Sequence, residues 1–198
     1  MDVRALEIAI GGGALLGASV LGARHPVIHP LEARAFHAVN GLPGWLYPVL
    51  WAPMQLGNLV VGTVVGLVVA WAVGSWAVAL GVVLAMLLKL VVERLVRREV
   101  EQYLQVRQRP GTSQVGAILR GDVPSSGPSF PSGHVILVAA ISTVLTPQLS
   151  SPVIFIPFVM AVLVALGRVY VGAHNPLDVT SGFGAGLLIG GLLALVLR

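Results

Sequence analysis

The chain has 198 residues, of which 56% are hydrophobic and 10% charged, and its mean hydropathy of +0.90 lies far from that of a soluble domain. Eleven arginines and one lysine against eight acids give a formal charge of +4, which in so apolar a chain points to a basic rim facing a membrane rather than to nucleic-acid binding. Cysteine is absent, so disulfides, thiolate metal sites and a cysteine nucleophile are excluded.

A bilayer-crossing helix uses about 20 apolar residues, and run lengths and turn residues divide residues 1–198 into one all-α membrane domain with six predicted spans. The first, 5–23, has only Arg4 before it and reads as an uncleaved helix rather than a signal peptide. Residues 24–44, RHPVIHPLEARAFHAVNGLPG, read as a polar, partly amphipathic connector along the interface. His25, His29 and His37 invite a metal reading, but Pro26 and Pro30 interrupt the helix that would align them, and no metal site is expected there.

The second span is expected at about 55–73, and a Gly74-Ser75 turn leads to the third. That helix begins near Trp76, passes Lys89 and runs out of the bilayer to about Gln108, where Arg109-Pro110 should stop it. The fourth runs from Gly133 to Pro147, the fifth from Pro152 to Tyr170 and the sixth from Pro176 to Leu197. Glycines in SGFGAGLLIGG suit close packing of the last helix.

With six spans, the connectors after the first, third and fifth helices share one face. The long connector 93–133 carries Arg94, Arg97, Arg98, Arg107, Arg109 and Arg120, and the short one after the fifth span brings Arg168, His174 and Asp178 beside it. Adding Arg24 and Arg34, this side far exceeds Arg4 and Arg198 on the other, which favours a plasma-membrane protein with that face in the cytoplasm.

RQRPG, PSGH and GRVYVGAHNPLD can build an anion site there. Ser132 is placed to cap the fourth helix, Gly133 lets the backbone approach a phosphate, and His134 faces it. Asn175 and Pro176 suit the start of the sixth helix, so Asp178 falls one turn from His174 and can hold its imidazole, leaving the other ring nitrogen to attack. Each piece alone has a plainer reading: an ordinary cap at PSGH, a structural His–Asp cap, a snorkelling Arg168, a headgroup-anchoring basic run. A lipid-binding membrane protein or transporter would use the same arginines.

In order and spacing, Arg109-Pro110, Pro131-Ser132-Gly133-His134, and Arg168, His174 and Asp178 resemble the type 2 phosphatidic acid phosphatase family, which includes glucose-6-phosphatase and the vanadium-dependent haloperoxidases. The resemblance implies six helices around one active site without metal or cofactor. His174 would take the phosphoryl group as phosphohistidine, His134 would protonate the leaving alcohol and then activate water, and Asp178 would orient His174. Arg109, Arg168, Ser132 and the Gly133 N–H would hold the phosphate of a lipid substrate, such as phosphatidic acid, phosphatidylglycerol phosphate or a polyprenyl phosphate or diphosphate. Two positions depart from the family pattern. Gly167 stands where a serine is usual, and Gln102 where a lysine precedes Arg-Pro by seven residues. Arg98, Gln102, Gln105 and Arg109 share one helical stripe, so Arg98 is the expected substitute cation with Gln102 adding a neutral hydrogen bond, and Arg107 and Arg120 are the alternatives.

Overall fold

Among the described residues, apolar helices build most of the molecule. The computed structural model describes residues 3–24, 27–103 and 107–197, with the side chains of 97–103 outside that description. The helices are α1 (Val3–Gly22), α2 (Pro30–Asn40), α3 (Leu46–Met54), α4 (Leu59–Ala72), α5 (Trp76–Tyr103), α6 (Pro110–Ser113), α7 (Gly133–Leu145), α8 (Phe155–Tyr170) and α9 (Pro176–Val196).

Local chemistry sets the boundaries. Asn58 Oδ1 accepts from the N–H groups of Val60 and Val61 at 3.0 and 3.3 Å and so starts α4. The α4–α5 hairpin turns at Gly74, whose φ of +65° suits only glycine well, and Ser75 Oγ accepts from Val78 N at 3.3 Å to open α5. Pro110 begins α6, so the Arg-Pro pair that was expected to stop the third helix also starts a new one, and α5 is described to Tyr103.

Every residue of α7 is buried except His134, and this helix is the centre of the packing. Val82 and Ala85 of α5, Ala70 of α4 and Ala185, Ile189 and Leu193 of α9 join Ile136, Leu137 and Ala140 in the main apolar cluster. The expected role of the α9 glycines holds: a Cβ at Gly184 would lie 2.6 Å from Leu16 N, and one at Gly186 2.6 Å from Ala139 Cβ, so α9 packs backbone to backbone between α1 and α7.

By length and composition, α1, residues Trp76–Val96 and α9 can cross a membrane, and Leu46–Gly57 with Leu59–Ala72 makes a fourth candidate bent by 74°. The predicted second span at 55–73 is therefore a shorter helix meeting α3 at a bend, and α7 and α8 are apolar but short. A helix enclosed by protein, as α7 is, has no lipid contact to set its length. The connector predicted at 24–44 also differs. It contains α2, which buries Glu32, Phe36 and Asn40 rather than lying free along the interface.

Candidate active site

Two short pairings bring the polar motifs together. Arg109 N donates to Gly127 O and Ser129 N to Arg107 O, both at 3.0 Å, so residues 107–109 and 127–129 lie antiparallel. Ser132 N donates to Asp178 O at 2.9 Å, tying the start of α7 to the first turn of α9. Between α8 and α9, Gly172 turns the chain at φ +78°, and a Cβ there would press on Ile118 O at 2.8 Å. Arg168 and His174 stand on either side of that turn.

His174 is buried, and its Nδ1 lies 2.8 Å from the carbonyl oxygen of Ser129. A carbonyl only accepts, so Nδ1 carries the hydrogen and Nε2 keeps its lone pair. Burial first, then the charges of Arg168, Arg109 and His134, push the His174 pKa well below the usual 6.5, while the bond to Ser129 opposes this. The ring is neutral at physiological pH, the state a nitrogen nucleophile requires.

Asp178 is fully buried, but its Oδ2 stands 3.9 Å from His174 Nδ1, so the expected direct hold on the imidazole is not made. The carboxylate is occupied elsewhere. Oδ2 accepts from Asn175 N at 2.7 Å, closing the first turn of α9, and Oδ1 accepts from Arg107 Nε at 2.8 Å. Arg107 also donates through Nη2 to Glu32 Oε1, which in turn accepts from Leu177 N at 2.9 Å. Burial disfavours the Arg107 cation, yet its pairs with Asp178 and Glu32 outweigh that and raise its pKa. Glu32 and Ser129 are the residues here that motif reasoning missed, and Arg107, expected as an alternative phosphate cation, instead pairs with Asp178 and Glu32. Glu32 sits in a connector without a motif, and Ser129 acts through its backbone.

His134 opens α7, with Gly57 against it so closely that a Cβ there would lie 2.7 Å from His134 Cβ. Lys89, Arg109 and Arg168 are all within electrostatic reach of its ring. Helical bonding starts with Val135 and Ile136 donating to Ser132 O at 3.1 and 3.0 Å, so the amides of Gly133 and His134 stand at the positive end of the helix. Ser132 takes the N-cap position, but its hydroxyl makes no capping bond. Among the described residues, Ser132 Oγ and Arg168 Nε are buried without a hydrogen-bond partner, as donors to a phosphate would be. Arg109 Nη1 donates to Ala173 O at 3.0 Å beside them.

The structure thus brings His134, His174, Ser132, Gly133, Arg109 and Arg168 to one place, with Asp178 behind. The side chains of Arg98 and Gln102 lie outside the described residues, as does His25. Of the alternative cations, Arg107 is paired with two carboxylates, and Arg120 donates to Asn40 O and Tyr170 O at 2.8 and 2.6 Å and to Leu42 O at 3.0 Å. Its guanidinium also lies 4.1 Å over the Tyr170 ring. Gly167, where serine was expected, touches Met54: a Cβ would meet its Cγ at 2.6 Å. His29 caps α2 by accepting from Leu31 N at 3.2 Å, and His37 packs edge-on against Phe36. No group of three metal-ligating side chains occurs among the described residues.

The model of the PAP2 superfamily matches residues 74–198. Undecaprenyl-diphosphatase of Sulfolobus acidocaldarius is 37% identical over 87 residues, 43% of this chain and 41% of that protein. Phosphatidylglycerophosphatase B of Bacillus subtilis is 42% identical over 77 residues, 34% of this chain and 38% of that protein. The alignments thus span about two fifths of the curated relatives. The crystal structure of Aquifex aeolicus LpxE superposes with a TM-score of 0.67 at 23% identity over 86% of this chain and 98% of that one, a likeness of fold. That of the first transmembrane PAP2 type phosphatidylglycerolphosphate phosphatase from Bacillus subtilis gives 0.64 at 25% identity over 96% and 93%.

Proposed function

This chain belongs to the PAP2 superfamily, and we propose that it is a metal-independent phosphatase of lipid phosphates working through a phosphohistidine at His174. The observation that carries the reading is the state of that ring: neutral, buried, with Nδ1–H fixed on Ser129 O and Arg109, Arg168 and His134 around it.

Nε2 attacks phosphorus, forming a P–N bond as the P–O bond to the lipid breaks. His134 gives its proton to the departing oxygen; the incoming phosphate's negative charge offsets the surrounding cations and lets His134 hold that proton. Water then attacks the phosphohistidine, His134 takes a proton from it, the P–N bond breaks and phosphate leaves with His174 restored. Arg109, Arg168, Ser132 Oγ and the Gly133 amide hold the equatorial oxygens as charge shifts onto them. Arg107, held by Glu32, pairs with Asp178 behind the nucleophile.

The lipid tail has a place to go. An apolar cavity of about 160 Å³ lies between α4, α7 and α8, lined by Leu56, Gly66, Val138, Ile141 and Met160, and Leu56 adjoins the Gly57 that touches His134. All six apolar segments would then enclose the site, with the bent α3–α4 pair and the short α7 and α8 completing the bundle. The names of the two curated relatives keep both a prenyl diphosphate and a phosphatidylglycerol phosphate in scope.

The test is phosphate release in detergent with chelator present, from a panel of phosphatidic acid, phosphatidylglycerol phosphate and farnesyl diphosphate. The wild type should release phosphate from at least one and His174→Ala from none, while both bind orthovanadate. Headgroup binding without release by the wild type would make the protein a lipid binder.

A further inference from the structure

We infer that Lys89 of α5 supplies the phosphate-binding cation that the sequence lacks at Gln102, and that Glu93 holds it at the start of α7 until the substrate phosphate displaces the carboxylate. The inference rests on the phosphatase reading above and deepens it.

Lys89 is the single lysine of the chain and stands 20 residues before Arg109, not seven. It lies inside an apolar helix that reads as a span, among exposed Leu87, Leu88, Leu90 and Val91. A cation there needs a partner or a function. Its Nζ meets Glu93 Oε2 at 2.8 Å, and the two side chains are 12% and 26% exposed. An i, i+4 pair on an open helix face would be a minor stabiliser. This pair is not on an open face. Val78, Val82 and Ala85 form the buried stripe of α5 against α7, and Lys89 and Glu93 continue that stripe at helical spacing to the end of α7 where the phosphate ligands gather.

The contact at that end is direct. A Cβ on Gly133 would collide with the Glu93 carboxylate and lie 3.0 Å from Lys89 Cε, so the pair sits directly on the first residue of α7. A carboxylate at a helix N-terminus is favourable, and a phosphate with more charge and more acceptor oxygens is more so. Glu93 thus stands where an anion is wanted, carrying the cation that the anion will use. Exchange of carboxylate for phosphate leaves Lys89 bound to phosphate and Glu93 turned toward its exposed side. Of the expected substitutes whose side chains are described, Arg107 is committed to Asp178 and Glu32 and Arg120 to three backbone carbonyls.

The experiment compares wild type, Lys89→Met, Lys89→Arg and Glu93→Gln in detergent, by kcat and KM on the best lipid phosphate, by orthovanadate inhibition, and by the thermal shift that orthovanadate produces. Lys89→Met should lower kcat on the order of a hundredfold, as loss of one transition-state donor does, and weaken vanadate inhibition about tenfold or more, with Lys89→Arg recovering part of both. Glu93→Gln should tighten vanadate inhibition, because it removes the competing negative charge. Lys89→Met within about threefold of wild type in kcat and in vanadate inhibition would overturn the assignment. So would lost activity with an unchanged vanadate shift, or equal weakening of vanadate in both the lysine and the glutamate variants, since either makes the pair a structural clamp. Should the wild type release no phosphate from any lipid, the phosphatase reading fails. Loss of the vanadate shift in Lys89→Met still tests the cation by itself.

Discussion

His174 Nδ1 donates its hydrogen to the backbone oxygen of Ser129 at 2.8 Å, while the carboxylate of Asp178 stands 3.9 Å away. The tautomer of the nucleophile is therefore set by the main chain two residues before the Pro-Ser-Gly-His turn. Asp178 acts at one remove, joining Arg107 to the first turn of α9.

Asp178→Asn should consequently behave unlike the loss of an orienting partner in a hydrolase triad. The Nδ1–H tautomer persists, so turnover falls but is not abolished. Stability falls with it, because Arg107 loses one of two buried anionic partners; breaking such a pair costs about 3 kcal/mol. Thermal unfolding in detergent checks this, and wild-type stability in Asp178→Asn would show that the Arg107 pair contributes nothing.

The pH dependence has a definite sign. His174 is neutral in the folded protein, with its pKa well below the unfolded value of 6.5, so below that value the unfolded state binds a proton that the folded state does not. Its contribution to stability is constant above about pH 6.5 and declines as pH falls further. Unfolding midpoints from pH 7.5 to 5 should therefore drop, and drop less in His174→Asn. Parallel curves for the two proteins would assign the acid sensitivity to other groups.

Sidedness is open to a single-cysteine experiment because the chain has no cysteine of its own. Ser126 lies exposed on the site-face loop, and is a better position than nearby Gly121, which has φ +68° and would bring a side chain onto the Tyr47 hydroxyl. From the arginine count we propose that this face lies in the cytoplasm. Ser126→Cys should then resist an impermeant maleimide in intact cells and react after lysis; labelling in intact cells would reverse the orientation.

Much of this site was legible as spacing. Ser132, Gly133 and His134 open one helix, and His174 and Asp178 flank the start of another, so the sequence pattern places each group at a helix N-terminus. The glycines of α9 were legible for the same reason, since small residues at close intervals have few other uses in an apolar helix. What was hidden depends on long-range packing. Glu32 is an ordinary acid in the first turn of α2 until that turn is found beneath α9, and Ser129 contributes only a carbonyl, which any residue has. Arg107 and Arg120 looked interchangeable with Arg98 as phosphate ligands, because a list of cations does not show which are already matched by carboxylates and carbonyls. The apolar runs of α4 and α7 were legible nearly to their ends, but not that these helices are short for a crossing, because hydropathy does not distinguish contact with lipid from enclosure by protein.

The central claim is a covalent phosphoryl intermediate on His174, and His134→Ala is the protein in which to look for it. With farnesyl diphosphate labelled on its terminal phosphate, attack by His174 expels farnesyl phosphate, a leaving group that needs no proton, while hydrolysis of the phosphohistidine is slowed by the missing base. The measurement is acid-labile, base-stable label on the protein after rapid quenching. The account predicts label on His134→Ala that accumulates to near one per chain and is absent when His174 is also changed to Ala. Absence of label from His134→Ala, under conditions in which the wild type releases phosphate from the same substrate, would contradict it.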